Sequence, residues 1–172
     1  MPINHVTGDA TQPVGQGPKI LVHCCNDQGA WGRGFVVALS RMWPQAETSY
    51  RAWFSNNLGD DGDDIPSEET GPPQLGEVQF VLVAPKLWVA NLIGQHGIGM
   101  AEDRRAPIRY DAVRKGFIKL TRQSKIYEAS VHMPRMGTGL AGGSWKAIEQ
   151  LVQAELLANG VAVTVYSLPE EY

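Results

Sequence analysis

The chain has 172 residues, of which 43% are apolar and 19% charged, and a net charge of −3. That balance describes one globular domain with a sizeable core, and it excludes a disordered chain, a disulfide-stapled miniprotein and a helical membrane bundle. Six acids and no base fall between Asn56 and Gly71, so the remainder carries a surplus of three positive charges. Such a body suits a compact anionic ligand, and specific nucleic-acid binding is not expected of it.

The N-terminus, MPINHVTGD, lacks the basic and apolar pattern of a signal peptide. Ile3 to Val6 alternates like a strand and runs into Thr7-Gly8-Asp9-Ala10. A loop rich in Gly and Pro follows to Pro18, and KILVHCC, residues 19–25, then reads as a buried strand. Cys24 and Cys25 are neighbours on that strand, so their side chains point to opposite faces. A disulfide or a shared metal is therefore not expected, and both are read as packing residues in a reducing cytoplasm.

The polar turn from Asn26 to Gly34 joins this strand to a helix, FVVALSRMW. A strand that enters a helix through glycines brings backbone N–H groups and a helix N-terminus close to an anion. Gly29, Gly32 and Gly34 supply the space, and Asn26 and Trp31 sit in the same turn. Phe35, Val36, Leu39 and Met42 share one helix face, and after a break at Pro44 a second helix over 45–54 turns Tyr50, Trp53 and Phe54 inward.

Residues 56–75 are acidic, Gly- and Pro-rich and poor in apolar groups, which predicts a flexible surface insertion. Its acids do not have the spacing of a calcium loop, and no metal is expected. Two β-rich runs, 77–83 and 87–93, form a hairpin about Ala84-Pro85-Lys86. The second runs into Gly94-Gln95-His96-Gly97, and Arg104 and Arg105 follow. Pro107 opens a helix whose inner face carries Tyr110, Val113, Phe117 and Leu120.

A short strand over 130–133 leads into PRMGTGLAGG, with Ser144 placed as the cap of the next helix. Ile148, Leu151, Val152 and Leu156 form that helix's apolar face, Asn159-Gly160 closes it, and 161–168 is a final strand. The order predicts a mixed sheet covered by helices on both faces, with ligands at the carboxyl ends of its strands. The turns at 8–10, 26–34 and 134–143 each follow a predicted strand.

These motifs, in this order, resemble the macro domains, in the branch of the ADP-ribose phosphatase-like and terminal ADP-ribose-glutamate hydrolase proteins. Gly8-Asp9-Ala10 resembles the family's Gly-Asp-Ile motif, residues 19–46 its distal-ribose loop and helix, MPRMGTGLAGGSW its phosphate loop, and VTVYSL its closing strand. The resemblance implies a single three-layer α/β/α domain over 1–172 with a mixed central sheet and an ADP-ribose cleft. It implies ligand contacts from Gly8, Asp9 and Ala10, from Asn26, Gly29, Trp31, Gly32 and Gly34, and from Gly137, Thr138, Gly139, Leu140 and Ala141. Asp9 is an acceptor for an adenine amine, Asn26 offers donor and acceptor to a ribose, and Trp31 offers an apolar wall.

The branch includes binders, phosphatases and hydrolases. One hydrolase group uses a lysine and an aspartate where this chain has Gln95 and Ala141. His23 matches a histidine of the phosphatase-like relatives, although a histidine inside an apolar strand more often packs there. Asn26, Gln95 and His23 are the catalytic candidates. Arg33, Arg104 and Arg105 are either phosphate or acidic-peptide contacts, or solvated charges. The resulting expectation is release of ADP-ribose from ADP-ribosylated proteins at acidic side chains, with no cofactor. A distal-ribose phosphatase and a non-catalytic reader are the alternatives.

Overall fold

The computed structural model describes residues 1–56, 71–98, 106–137 and 142–169. Its elements run β1 (Asn4–Thr7), β2 (Lys19–Asn26), α1 (Phe35–Met42), α2 (Pro44–Asn56), β3 (Val78–Ala84), β4 (Leu87–Gln95), α3 (Tyr110–Tyr127), β5 (Ser130–Pro134), α4 (Trp145–Leu151) and β6 (Val163–Ser167). The sheet has the order β1-β6-β5-β2-β4-β3. All pairs are parallel except β3 with β4, the expected hairpin.

Period-two alternation along β2 divides the core. Ile20, Val22 and Cys24 face one layer, with Phe117 and Leu120 of α3 and Ile148 of α4. Leu21 and Cys25 face the other, with Leu39 of α1 and Ala46 and Tyr50 of α2. The adjacent cysteines thus lie on opposite faces, both unbridged. The expected three-layer α/β/α architecture follows. No helix among the described residues is long and apolar enough to cross a membrane.

Several boundaries differ from the sequence expectation, each for a local reason. Pro44 is the first residue of α2, where its missing N–H costs no helix bond. Pro107 is not in a helix: its carbonyl accepts from His96 N at 2.8 Å, and Ile108 bridges to Gln95. The backbone there extends the end of β4, which delays α3 until Tyr110. Met42 is exposed, because α1 ends there, two turns long. After α4 the backbone widens into a π turn over Val152–Leu156 and tightens over Leu157–Asn159 before Gly160, at φ 81°, ends it.

Of the stretch expected to be a flexible insertion, residue 56 and residues 71–75 are described. Asn56 closes α2, Pro73 is buried and Leu75 packs against the α2 face. Gln74 N donates to Glu77 Oε2 at 2.6 Å, and Gly76 N to Ile93 O at 2.8 Å. Those bonds pin its C-terminal residues, while 57–70 lie outside the described residues.

Candidate functional site

A cavity of about 580 Å³ opens at the carboxyl ends of β1, β2, β4, β5 and β6. Gly8, Asp9 and Ala10 line one side, Arg33 to Val36 a second, and Pro134 to Gly137 a third. His23, Cys24, Gln95 and Tyr166 complete it. The loops that the sequence marks as ligand turns are therefore brought together. Thr138, Gly139, Leu140 and Ala141, with Arg104 and Arg105, lie outside the described residues.

Each loop is braced from within. Asp9 Oδ1 accepts from Thr11 N at 2.9 Å and Thr11 Oγ1 at 2.7 Å, an Asx turn that fixes the carboxylate at the rim. Gly8 N donates to Ser167 O at 2.9 Å, tying this turn to β6. On the third side, Gly143 N donates to Gly137 O at 2.7 Å, closing the base of the loop between them. A Cβ on Gly143 would lie 2.2 Å from that same carbonyl, so only glycine fits there.

Asn26 is committed to its own turn. Its Nδ2 donates to Ala30 O at 2.7 Å, and its Oδ1 accepts from Gln28 N, Ala30 N and the Tyr50 hydroxyl. It does not line the cavity. Trp31 is buried beneath the loop, with its Nε1 donating to Ser40 Oγ at 2.6 Å. Of the rings beside this turn it is Phe35, at the start of α1, that stands on the cavity wall. A row of rings connects it inward: Phe35 to His23 at 5.8 Å, His23 to Trp31 at 5.3 Å, and Trp31 to Tyr50 at 5.2 Å. Gly34, at φ 78°, makes the corner into α1, and Gly29 packs on Phe54. Gly29 and Gly32 lie outside the cavity lining.

The titratable groups on the floor are held neutral. Burial pushes His23 down to about 4, against a partial rise from its bond to Asn91. Burial pushes the Cys24 thiol up to about 12, which removes it as a nucleophile at neutral pH. Gln95 Nε2 donates to Gly97 O at 3.0 Å, holding its amide at the edge. Below it, Asp27 joins two loops: Oδ1 accepts from Gly97 N at 2.8 Å, and Oδ2 lies 2.7 Å from His96 Nδ1.

Phe35, Cys24 and Tyr166 were not singled out for the cavity by sequence. For Phe35 a signal existed, since an apolar residue directly after the Gly-rich turn faces whatever the turn encloses. For Tyr166, inside a run of β-formers, there was none.

An α/β/α layer fold with a cleft at its strand ends and glycine-framed loops defines a class of nucleotide-type ligand binders. Comparison with known proteins narrows it. A protein of unknown function from Bacteroides thetaiotaomicron is 48% identical, with a TM-score of 0.88, over 98% of this chain and 99% of that one. A macrodomain protein from Streptomyces coelicolor is 44% identical, with a TM-score of 0.78, over 96% and 99%. This chain belongs to the macrodomain family.

Among curated relatives, the chromodomain-helicase-DNA-binding protein 1-like of Mus musculus is 31% identical over 97% of this chain. The chain spans only 18% of that protein's length. An ADP-ribose 1''-phosphate phosphatase of Saccharomyces cerevisiae is 28% identical over 96% of this chain and 98% of its own. No family model matches the chain.

Proposed function

We propose that the cavity binds ADP-ribose and that the protein is a hydrolase acting at the distal ribose, releasing ADP-ribose from acidic side chains of modified proteins. The observation that carries this reading is the convergence of the Asp9 turn, the Gly34–Phe35 corner and the Gly137 loop on one cavity. Asp9 accepts from the adenine amine beside Gly8 and Ala10. The 137–141 loop supplies backbone N–H donors to the diphosphate. Gly29, Gly32 and Gly34 let the distal loop close on the ribose. Asn26 and Trp31 act by holding that loop in shape.

A carboxylate ester at the anomeric carbon is already activated, so the protein mainly orients the sugar, admits a water and stabilises developing charge. Gln95 cannot form a Schiff base, and a neutral His23 offers a hydrogen bond but no proton at pH 7. The reaction therefore proceeds without a lysine adduct. Borohydride added during turnover should trap no protein–sugar conjugate.

The second reading, removal of phosphate from ADP-ribose phosphorylated at the distal ribose, is favoured by the full-length similarity to the yeast phosphatase. Incubation with a glutamate-ADP-ribosylated protein and with ADP-ribose 1''-phosphate separates the two. Free ADP-ribose from the first supports the hydrolase, and inorganic phosphate from the second supports the phosphatase. Binding with neither product leaves a reader.

A further inference from the structure

A second cavity, of about 600 Å³, lies beside the starts of β2 and β4. Lys19 and Lys86 line it with Trp43, Met42, Pro13 and Leu87, and no acid among the described residues does. Nothing in the reading of the first cavity uses these residues. Lys19 Nζ donates to Gly17 O at 2.9 Å, which holds the ammonium against the 12–17 loop. Lys19 N donates to Lys86 O at 2.9 Å, so the two lysine backbones are bonded to each other. Trp43 Nε1 donates to Thr11 O at 2.8 Å, which fixes its ring.

Lys86 adopts φ 58°, in the left-handed region where glycine or asparagine sits without strain. Among the described residues only one other non-glycine, Glu128, does so. Glu128 ends α3, a usual place for that geometry, whereas Lys86 stands in a tight hairpin after Pro85, where glycine is the ordinary choice. A residue held in a strained backbone conformation points to a use for its side chain. Here the side chain adds a second positive charge to a cavity that already holds one.

Two lysines and a tryptophan lining one cavity complement a dianion carried on a planar body. Lysine serves phosphate as a point charge, and two of them match a phosphomonoester at neutral pH. We propose that this cavity is a second ligand site that takes a nucleoside monophosphate, with its phosphate between Lys19 and Lys86 and its base against Trp43. It stands apart from the ADP-ribose cavity and does not depend on that assignment.

The test is a titration of the ¹⁵N-labelled protein at low salt with AMP, adenosine and inorganic phosphate. It follows the Trp43 indole N–H, identified by its loss in Trp43→Phe. AMP should move that resonance saturably, and adenosine or phosphate alone should move it little. Lys86→Gly and Lys19→Gln should each weaken AMP about tenfold or more, as expected for loss of a charge-assisted bond. Lys86→Gly should do so without lowering the melting temperature, because it relieves the backbone. The proposal is overturned by an unmoved Trp43 resonance, by equal effects of adenosine and AMP, or by wild-type affinity in Lys86→Gly. It is equally overturned if AMP shifts only resonances around Asp9 and Phe35. Saturation with ADP-ribose, read at Asp9 and Phe35, scores the first cavity separately.

Discussion

His23 Nε2 lies 2.6 Å from Asn91 Oδ1, across the paired strands β2 and β4. Asn91 Nδ2 donates to Ala46 O at 3.2 Å and to Gln79 Oε1 at 3.0 Å. The amide orientation is thereby set, and its oxygen faces the imidazole. The ring must carry its proton on Nε2, leaving Nδ1 as the acceptor. Asn91→Leu removes that acceptor and strands a buried N–H, at a cost of about 1–3 kcal/mol. Chemical denaturation should show the loss, and an unchanged midpoint would refute the assigned hydrogen bond.

The same buried histidine sets a pH dependence. His23 and His132 both fall from an ordinary 6.5 to about 4 through burial, aided at His132 by the nearby Lys19 charge. The unfolded chain therefore binds protons between pH 6.5 and 4 that the native state refuses. Stability should be full above pH 6.5, fall as pH drops toward 4, and level out below. Each histidine contributes at most about 3 kcal/mol to that fall. NMR titration of the two rings checks it, and a midpoint near 6.5 for either would remove its share.

Asp9→Asn separates binding from folding at the first cavity. The asparagine oxygen can keep both bonds from Thr11, so the turn and the melting temperature should survive. In the proposed binding mode the second carboxylate oxygen becomes a donor facing the adenine amine, and ADP-ribose affinity should fall by about 1.5–3 kcal/mol, as for hydrogen bonds to charged groups. Calorimetry at neutral pH measures the loss, and undiminished affinity would move the adenine elsewhere.

Phe35→Ala and Trp31→Phe should act differently. Phe35 stands on the cavity wall, so its truncation weakens ADP-ribose by about tenfold, in addition to the stability lost with its partly buried ring. Trp31 lies under the loop, so loss of its bond to Ser40 lowers stability by about 1 kcal/mol with a smaller effect on affinity. Paired thermal melts and titrations score both, and the reverse pattern would restore Trp31 as the wall.

Gly143→Ala tests the loop base. Its methyl group would press on the Gly137 carbonyl, a backbone atom with no rotamer to escape into. The loop proposed to hold the diphosphate should be displaced and ADP-ribose affinity reduced at least about tenfold. Wild-type affinity in this variant would place the diphosphate away from this loop.

The layers and the cavity were legible because they depend on periodicity and on where turns fall. Alternation along 19–25 assigned each residue of β2 a face, and glycine turns after successive strands converged because parallel strands end together. What sequence did not resolve were choices between two uses of one chemistry. The amide of Asn26 can hold a ribose or its own turn, and Tyr50, twenty-four residues away, supplies part of the turn's bonding. The indole of Trp31 can face a ligand or Ser40. Pro107 suits a helix start, yet the free N–H of His96 claims its carbonyl. Such choices are made by groups distant in sequence.

The placement of β6 between β1 and β5 bears on how the protein is made. Asn4 pairs with Thr164, so β1 meets its sheet neighbour among the described strands only after β2 to β5 have been translated. Until then β1 is an unpaired edge, and the Asp9 turn, tied to Ser167, has nothing to fasten to. A nascent chain halted before Val163 can build β2, β4 and β5 but not the Asp9 side of the cavity. Completion of the cavity is thus deferred until β6 emerges, and products truncated before it should fail to bind ADP-ribose.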